Sequence, residues 1–514
     1  MLIKKFIHPI SKLPLNSPWL MMLIFAFIGL MGILNHAMWR DELNPWLIAK
    51  DSQSFSDLIS NIRYEGHPVL WYFCLAFVNK IADTPIMMQL LHLSITTTAV
   101  AIFWLCSPFN HLQKLLFTFG YFPFYEYLLI SRNYAFSFLF VFAFCAIFPF
   151  RKRNYWQLAV LLGLLANSSA YALFVSLALC TTLVIELCFD SEHRHQYFNQ
   201  SNKYDLFISS IIIIFAFGLA INIMTPPADS YLHGGLKGWF TEFDFRHLLR
   251  SFGRLFGGYF LIIPTHKRWL DLILCAGISI FVFGLTGLKL RKKPIPLFFY
   301  TLGTGIILAF TYLRFLGNPR HYGHFYLVLL AALWLASYYP DSESVINRIP
   351  FLKQRSWKFV DKWHYIALML IFYVQLLGGI GNFGRDLFIP FSASKATANY
   401  IQESRLEKEF IVASRDANMA ALSGYLHRKF YYPELQNLGS FTIFGKGRKS
   451  VDKGEALRQV SEMLNHGEAN KKILLILHEK LQSNYQGLQI NPVKSFEKAW
   501  VDTERFYLYW VQKE

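Results

Sequence analysis

The chain has 514 residues, of which 54% are hydrophobic, 18% aromatic and only 16% charged, with a net charge of +17. A soluble globular protein carries roughly 25% charged residues, and long apolar runs recur through the first 385 positions, so the composition excludes a soluble protein and defines a polytopic membrane protein. Nucleic acid is excluded as a partner, because basic loops beside membrane helices account for the positive balance.

Taken in order, the chain opens with "MLIKKFIHPISKLPLNSPWLMMLIFAFIGLMGILNHAMW": lysines, then an apolar run with no small-residue cleavage site after it. This predicts an uncleaved first helix. The next segment, "VLWYFCLAFV", has only ten residues before Asn79 and Lys80, against the ~20 that a spanning helix needs. Charge places it. If 68–80 does not span, the basic clusters at 151–153, 290–293 and 348–363 all share a side with Lys4, Lys5 and Lys12, as the preference of basic loops for the cytoplasm requires. Residues 40–84 then form one outer-face loop with two interfacial segments, 44–62 and 68–80.

Eleven spans are expected, near 18–39, 85–106, 112–130, 133–150, 155–170, 171–188, 205–225, 269–289, 295–312, 322–339 and 364–384. Residues 226–268 read as an outer segment, with Arg246, Arg250 and Arg254 at near-helical spacing as a basic face toward anionic lipid. The six cysteines all lie in apolar segments without metal-ligand spacing and read as small apolar residues. His92 and His111 read as structural.

Residues 1–384 thus form a membrane-embedded domain and residues 385–514 a charged tail. In the tail, "EFIVASRD", "KKILLILHE" and "RFYLYWV" read as strands, and "NMAALSGYLHRKF" and "GEALRQVSEMLNH" as helices. That alternation predicts a small α/β domain with a mostly parallel sheet. No glycine-rich phosphate loop follows its strands, so no cofactor is assigned to it. The topology puts the N-terminus in the cytoplasm and the tail outside the membrane, in the periplasm of a Gram-negative cell.

The chemistry-bearing residues sort to the outer face: Arg40, Asp41, Glu42, Arg63, Glu65 and His67 in the first loop, Glu126, Arg132, Asn133 and Tyr134 around the second, and Arg314, Arg320, His321 and His324 later. Arginines hold a phosphate by bidentate, charge-assisted contacts, and a carboxylate takes a proton from an acceptor hydroxyl or amine. Together they suit displacement at a sugar carbon with a lipid phosphate as the leaving group.

Three short elements carry a resemblance. "WRDE" places an acidic pair at the end of the first helix, "YEGHPVLWY" puts an acid and a basic residue before a proline and an aromatic run, and "SRNYAF" ends the second loop in Arg-x-Tyr. In these the chain resembles the GT-C superfamily of membrane glycosyltransferases. It is most similar to the branch of protein mannosyltransferases and lipid A aminoarabinose transferases that use polyprenyl-phosphate sugars. The resemblance implies a GT-C-like helical domain and an inverting transfer at the outer face of the inner membrane. The donor would be a polyprenyl-phosphate sugar, and the acceptor a lipid, a glycan or a protein. Asp41 stands in the position of the catalytic base, with Glu42 beside it. Glu65, His67, Glu126, Arg132, Tyr134, Arg320 and His321 would bind substrate. Ile130 stands where some relatives carry a second-loop acid, so either Glu126 serves or no second acid is needed. No metal is required for a monophosphate donor, although a divalent cation remains compatible. Two other classes use the same surface: a transporter or flippase of lipid-linked sugars, for which the near absence of acids in the spans is unfavourable, and a non-catalytic envelope assembly protein.

Overall fold

The computed structural model describes residues 17–231, 239–265, 268–343, 357–445, 447–466, 472–481 and 485–514. Lys4, Lys5, Lys12, Lys237, Lys267 and the basic stretch 348–356 lie outside these.

Among the described residues, eight helices are long and apolar enough to cross a membrane. They match eight of the expected spans: α1 (Pro18–Asn35), α5 (Ile86–Cys106), α7 (Ala135–Ile147, continued by a 3-10 turn to Lys152), α9 (Ala170–Phe189), α11 (Asp205–Met224), α13 (Trp269–Lys289), α14 (Pro294–Leu313) and α16 (Lys358–Phe388). The other three expected spans differ. Residues 112–130 break into α6 (His111–Thr118) and a π-helical turn, Tyr121–Glu126, because Gly120 and Pro123 interrupt the ladder. Helix α8 (Trp156–Ala166) has 11 residues, and α15 (Pro319–Ala336) opens on Arg320, His321 and His324.

The first loop folds as α2 (Arg40–Asp51), α3 (Phe55–Ile62) and α4 (Leu70–Asn79). At 10 residues α4 is about 15 Å long, half the hydrocarbon thickness. Trp71, Tyr72, Leu75 and Val78 bury one face of it.

Segment 226–268 departs from the surface reading. Helix α10 (Ser191–Gln200) precedes α11, and α12 (Phe245–Phe260) follows it as a re-entrant element. It starts at the end of α14, where His247 Nε2 donates to the Tyr312 carbonyl (2.8 Å). It then descends until Gln375, in the middle of α16, donates to the carbonyls of Gly258 and Tyr259 (3.1 Å each). Leu261 turns the chain in the left-handed region (φ 60). The chain after the turn passes Gly253 at Pro264, and Arg246 lies over the Trp269 ring at 5.2 Å. Gly258 permits this: a Cβ there would sit 2.5 Å from the Tyr322 carbonyl oxygen. Arg254 is therefore buried, over the Tyr322 ring at 5.6 Å, and is not part of an exposed basic face.

The tail holds α17 (Ser394–Glu403), β1 (Ile411–Ala413), α18 (Asp416–Leu426), β2 (Phe430–Tyr432), β3 (Asn437–Gly439), α19 (Lys453–His466), β4 (Lys472–Leu477), β5 (Leu488–Phe496) and β6 (Phe506–Lys513). The strand order is β3-β2-β1-β4-β6-β5. Among the described residues, only the β1–β2 and β1–β4 pairings are parallel, and the other three are antiparallel. The sheet is thus mixed rather than mostly parallel. Alternation along β1 splits the core, with Ile411 and Ala413 under α17 and α18, and Val412 under α19. Helix α18 packs along α2, where Gly424 meets Leu43.

Candidate active site

Helix α2 starts at an extended Trp39, and Glu42 folds back to accept from the Trp39 N–H (3.2 Å). The same carboxylate accepts from the Ser131 N–H (2.6 Å) and faces His36 Nε2 (3.1 Å), whose Nδ1 faces Asp386 at 2.8 Å. Glu42 is fully buried and its oxygens are taken. It ties α1, α16 and the second loop together and does not reach the cavity described below.

Asp41 points the other way. Its Oδ2 accepts from Arg132 Nη1 (2.8 Å) and Arg320 Nη2 (3.1 Å), and Oδ1 lies 3.7 Å from Arg40 Nε. Burial alone would raise the carboxyl, but Arg132, Arg320 and Arg40 together hold it below the usual carboxylate range. The loop carrying Arg132 is fixed by His92: the Arg132 N–H donates to its Nε2 (3.2 Å), and its Nδ1 donates to the Leu128 carbonyl (3.1 Å).

Arg132 Nη2 donates to His67 Nε2 at 3.2 Å, which leaves the His67 proton on Nδ1, buried and without a hydrogen-bond partner. Burial first, then Arg132 and Arg320, push His67 down to about 3. It is a neutral imidazole with one N–H to offer. Gly66 before it has a φ of 67, a conformation natural only to glycine, and this turn presents both Glu65 and His67 to the same space. Glu65 accepts from Asn44 Nδ2 (3.1 Å) and from the Tyr72 hydroxyl (3.2 Å). Burial raises it to about 7, against the opposing pull of Arg132.

On α15, the Asn318 N–H donates to His321 Nδ1 (2.8 Å), so Nε2–H donates to the Tyr134 hydroxyl at 2.9 Å. Tyr171 stacks on His321, with ring centroids 4.7 Å apart. The Arg320 guanidinium lies 5.8 Å from the Trp39 ring centroid, with Nε unpartnered.

These groups meet at a cavity of about 610 Å³. Glu65, His67, Tyr134, Arg320 and His321 line its polar end, together with Tyr171 and Arg314. Phe174, Ile306, Ala309, Phe310 and Leu313 of α9 and α14 form an apolar wall. Asp41 and Arg132 stand behind that end, one contact away. Glu126 is not in the lining: it is buried and accepts from the Tyr121 hydroxyl at 2.6 Å. Among the described residues, no group of three or more His, Cys, Asp or Glu is arranged to hold a metal ion.

Two participants escape a sequence reading. Tyr171 sits in an apolar run, where its ring looks like core. Glu504 comes from the turn before β6; it is fully buried, accepts from Ser392 Oγ (2.8 Å), and its Oε1 stands 3.8 Å from Arg40 Nε. Nothing local in "VDTERF" announces that neighbour.

No family model matches this sequence, and no curated protein matches it either. Among solved structures, the chain is similar to one described as the crystal structure of ArnT from Cupriavidus metallidurans bound to undecaprenyl phosphate. The TM-score is 0.54 over 96% of this chain and 97% of that one, at 10% sequence identity. The two chains therefore share an architecture over nearly their whole length. The particular likeness is to ArnT, and at this identity it is a likeness of fold.

Proposed function

We propose that this protein is an inverting glycosyltransferase that moves a sugar from a polyprenyl-phosphate donor to an acceptor hydroxyl or amine. The observation that carries the reading is the surplus of fixed cationic and N–H donors at the polar end of an apolar-walled cavity. Arg320 and Arg132 share one carboxylate oxygen between them, and His67 Nδ1 has no partner. A phosphate on an isoprenoid chain matches both halves: its oxygens meet the guanidiniums, and its chain lies along α9 and α14. The neighbouring fold was solved with undecaprenyl phosphate bound, which supports the same lipid class here.

In this reading the acceptor attacks the anomeric carbon in line as the phosphate departs. The leaving group needs no protonation, because fixed guanidiniums take up its charge without reorganising, so neither a metal nor the acid–base carboxyl pair of a glycosidase is needed. Tyr134 and His321, bonded to each other, shape the sugar end of the pocket. We place the cluster and the domain 385–514 on the outer side of the inner membrane, with the N-terminus in the cytoplasm and the catalytic domain in 1–384.

The test is native mass spectrometry of the gently purified protein, wild type beside Arg320→Ala. The expected result is a bound polyprenyl phosphate or its glycosylated form in the wild type, depleted in the variant. Ordinary phospholipid alone in both would count against the reading.

A further inference from the structure

Two carboxylates adjoin the cations, and they differ in what they can do. Asp41 Oδ2 is claimed by two arginines at 2.8 and 3.1 Å, and its Oδ1 faces a third. An anion so compensated has little affinity for a proton, and Asp41 is not among the side chains that line the cavity. Glu65 does line it. Its oxygens take one neutral donor each, Asn44 from α2 and Tyr72 from α4, which leaves lone pairs for a further hydrogen. It shares the cavity's polar end with Arg320 and His67.

We propose that Glu65 is the proton acceptor of the transfer, and that Asp41 is the fixed counter-ion that positions Arg132 and Arg320. This rests on the transferase reading above. The acceptor's oxygen or nitrogen forms a bond to the anomeric carbon. The bond from that carbon to the phosphate oxygen breaks, and its electron pair leaves with the polyprenyl phosphate. The acceptor's proton passes to a Glu65 oxygen and from there to solvent. The charged and titratable groups facing Glu65 are Arg132, Asp41 and Tyr72. Their sum, with burial, brings the carboxyl to about 7, which suits a base working near neutral pH.

The experiment uses the full-length protein in detergent. Binding of undecaprenyl phosphate is measured first. Release of undecaprenyl phosphate from a panel of synthetic undecaprenyl-phosphate hexoses and pentoses is then followed against pH, with total envelope lipid as the acceptor. Glu65→Gln is expected to slow release at least ~100-fold while the Kd for undecaprenyl phosphate stays within about twofold, the pattern of a group used only in the transition state. The wild-type rate should fall as pH drops through about 7. Tyr72→Phe, which removes a donor to the carboxylate, should move that limb to higher pH. Asp41→Asn should be slow yet keep the limb, moved to lower pH because the Asp41 charge helps to raise Glu65. A Glu65→Gln protein that retains the rate and the acid limb, beside an Asp41→Asn protein that loses both, overturns the assignment and leaves the transferase intact. A wild type that neither binds undecaprenyl phosphate nor releases it from any donor overturns both.

Discussion

The protein buries arginine against carboxylate at both ends of its helical bundle, and the two arrangements are opposites. At one end Arg151 meets Glu186 through two 2.8 Å contacts, Nε to Oε2 and Nη2 to Oε1. Tyr339 donates a third hydrogen bond to the same carboxylate (2.7 Å), and Phe148 and Tyr339 cover the guanidinium. One cation faces one anion, both at most 4% exposed, with the geometry of a closed fork. At the other end three guanidiniums crowd one carboxylate that is 26% exposed, and a cavity opens beside them. A matched pair holds helices together. An unmatched cluster spends stability on an excess of charge, which is what a site for an anionic ligand requires.

The largest expected effect tests the open cluster. Asp41→Asn leaves its guanidiniums without their shared anion, and transfer should drop by about 10³-fold, the scale of losing a preorganised electrostatic group. Undecaprenyl phosphate should bind at least as well as before. A variant that keeps its rate would mean that the surplus cations do not need Asp41 to place them.

The closed pair should answer through stability. Glu186→Ala strands a buried guanidinium and should cost about 3–5 kcal/mol, seen as a lower unfolding midpoint in detergent. The rate per folded molecule should stay the same. If activity fell and stability held, the contrast between the two ends would fail.

Arg320→Ala removes one charge-assisted contact, so the Kd for undecaprenyl phosphate should rise about 10- to 100-fold. Its unfolding midpoint should hardly move, because the cluster loses repulsion as well as attraction.

The last expected effect lies at the tail and is read in stability alone. Burial lifts the Glu504 carboxyl to about 8, against the pull of Arg40, from an ordinary value of 4.5. The folded state therefore holds that proton more tightly than the unfolded one, and stability contributed by the neutral acid declines as pH rises from about 4.5 to 8. The unfolding midpoint of wild type should fall across that window. In Glu504→Gln the slope should be shallower.

Much of this is legible in the sequence. Eight apolar runs became eight long helices, and the shortness of 69–78 together with the sidedness of the basic loops marked a helix that does not cross. The acidic pair, Arg132, Arg320, Glu65 and His67 stood out as charges in a chain poor in them. Their division of labour did not. Adjacent residues on a helix point about 100° apart, so Asp41 and Glu42 part company, and only the fold shows which one is sealed in. The re-entrant α12 hid because its arginines give it the pattern of a surface helix. Strand β5 hid because it carries Pro492 and few buried side chains, as an edge strand with a bulge does. Glu504 hid because proximity across hundreds of residues leaves no local trace.

Asn44 couples the tail to the helical domain. Its amide exchanges hydrogen bonds with the backbone of Thr442 in the tail, at 2.8 Å and 3.3 Å, while the same amide nitrogen donates to Glu65 at 3.1 Å. One side chain thus joins a buried turn of the tail to the carboxylate in the pocket. A change in the tail that shifts the Thr442 backbone therefore shifts a hydrogen-bond donor to Glu65, with no contact inside the cavity.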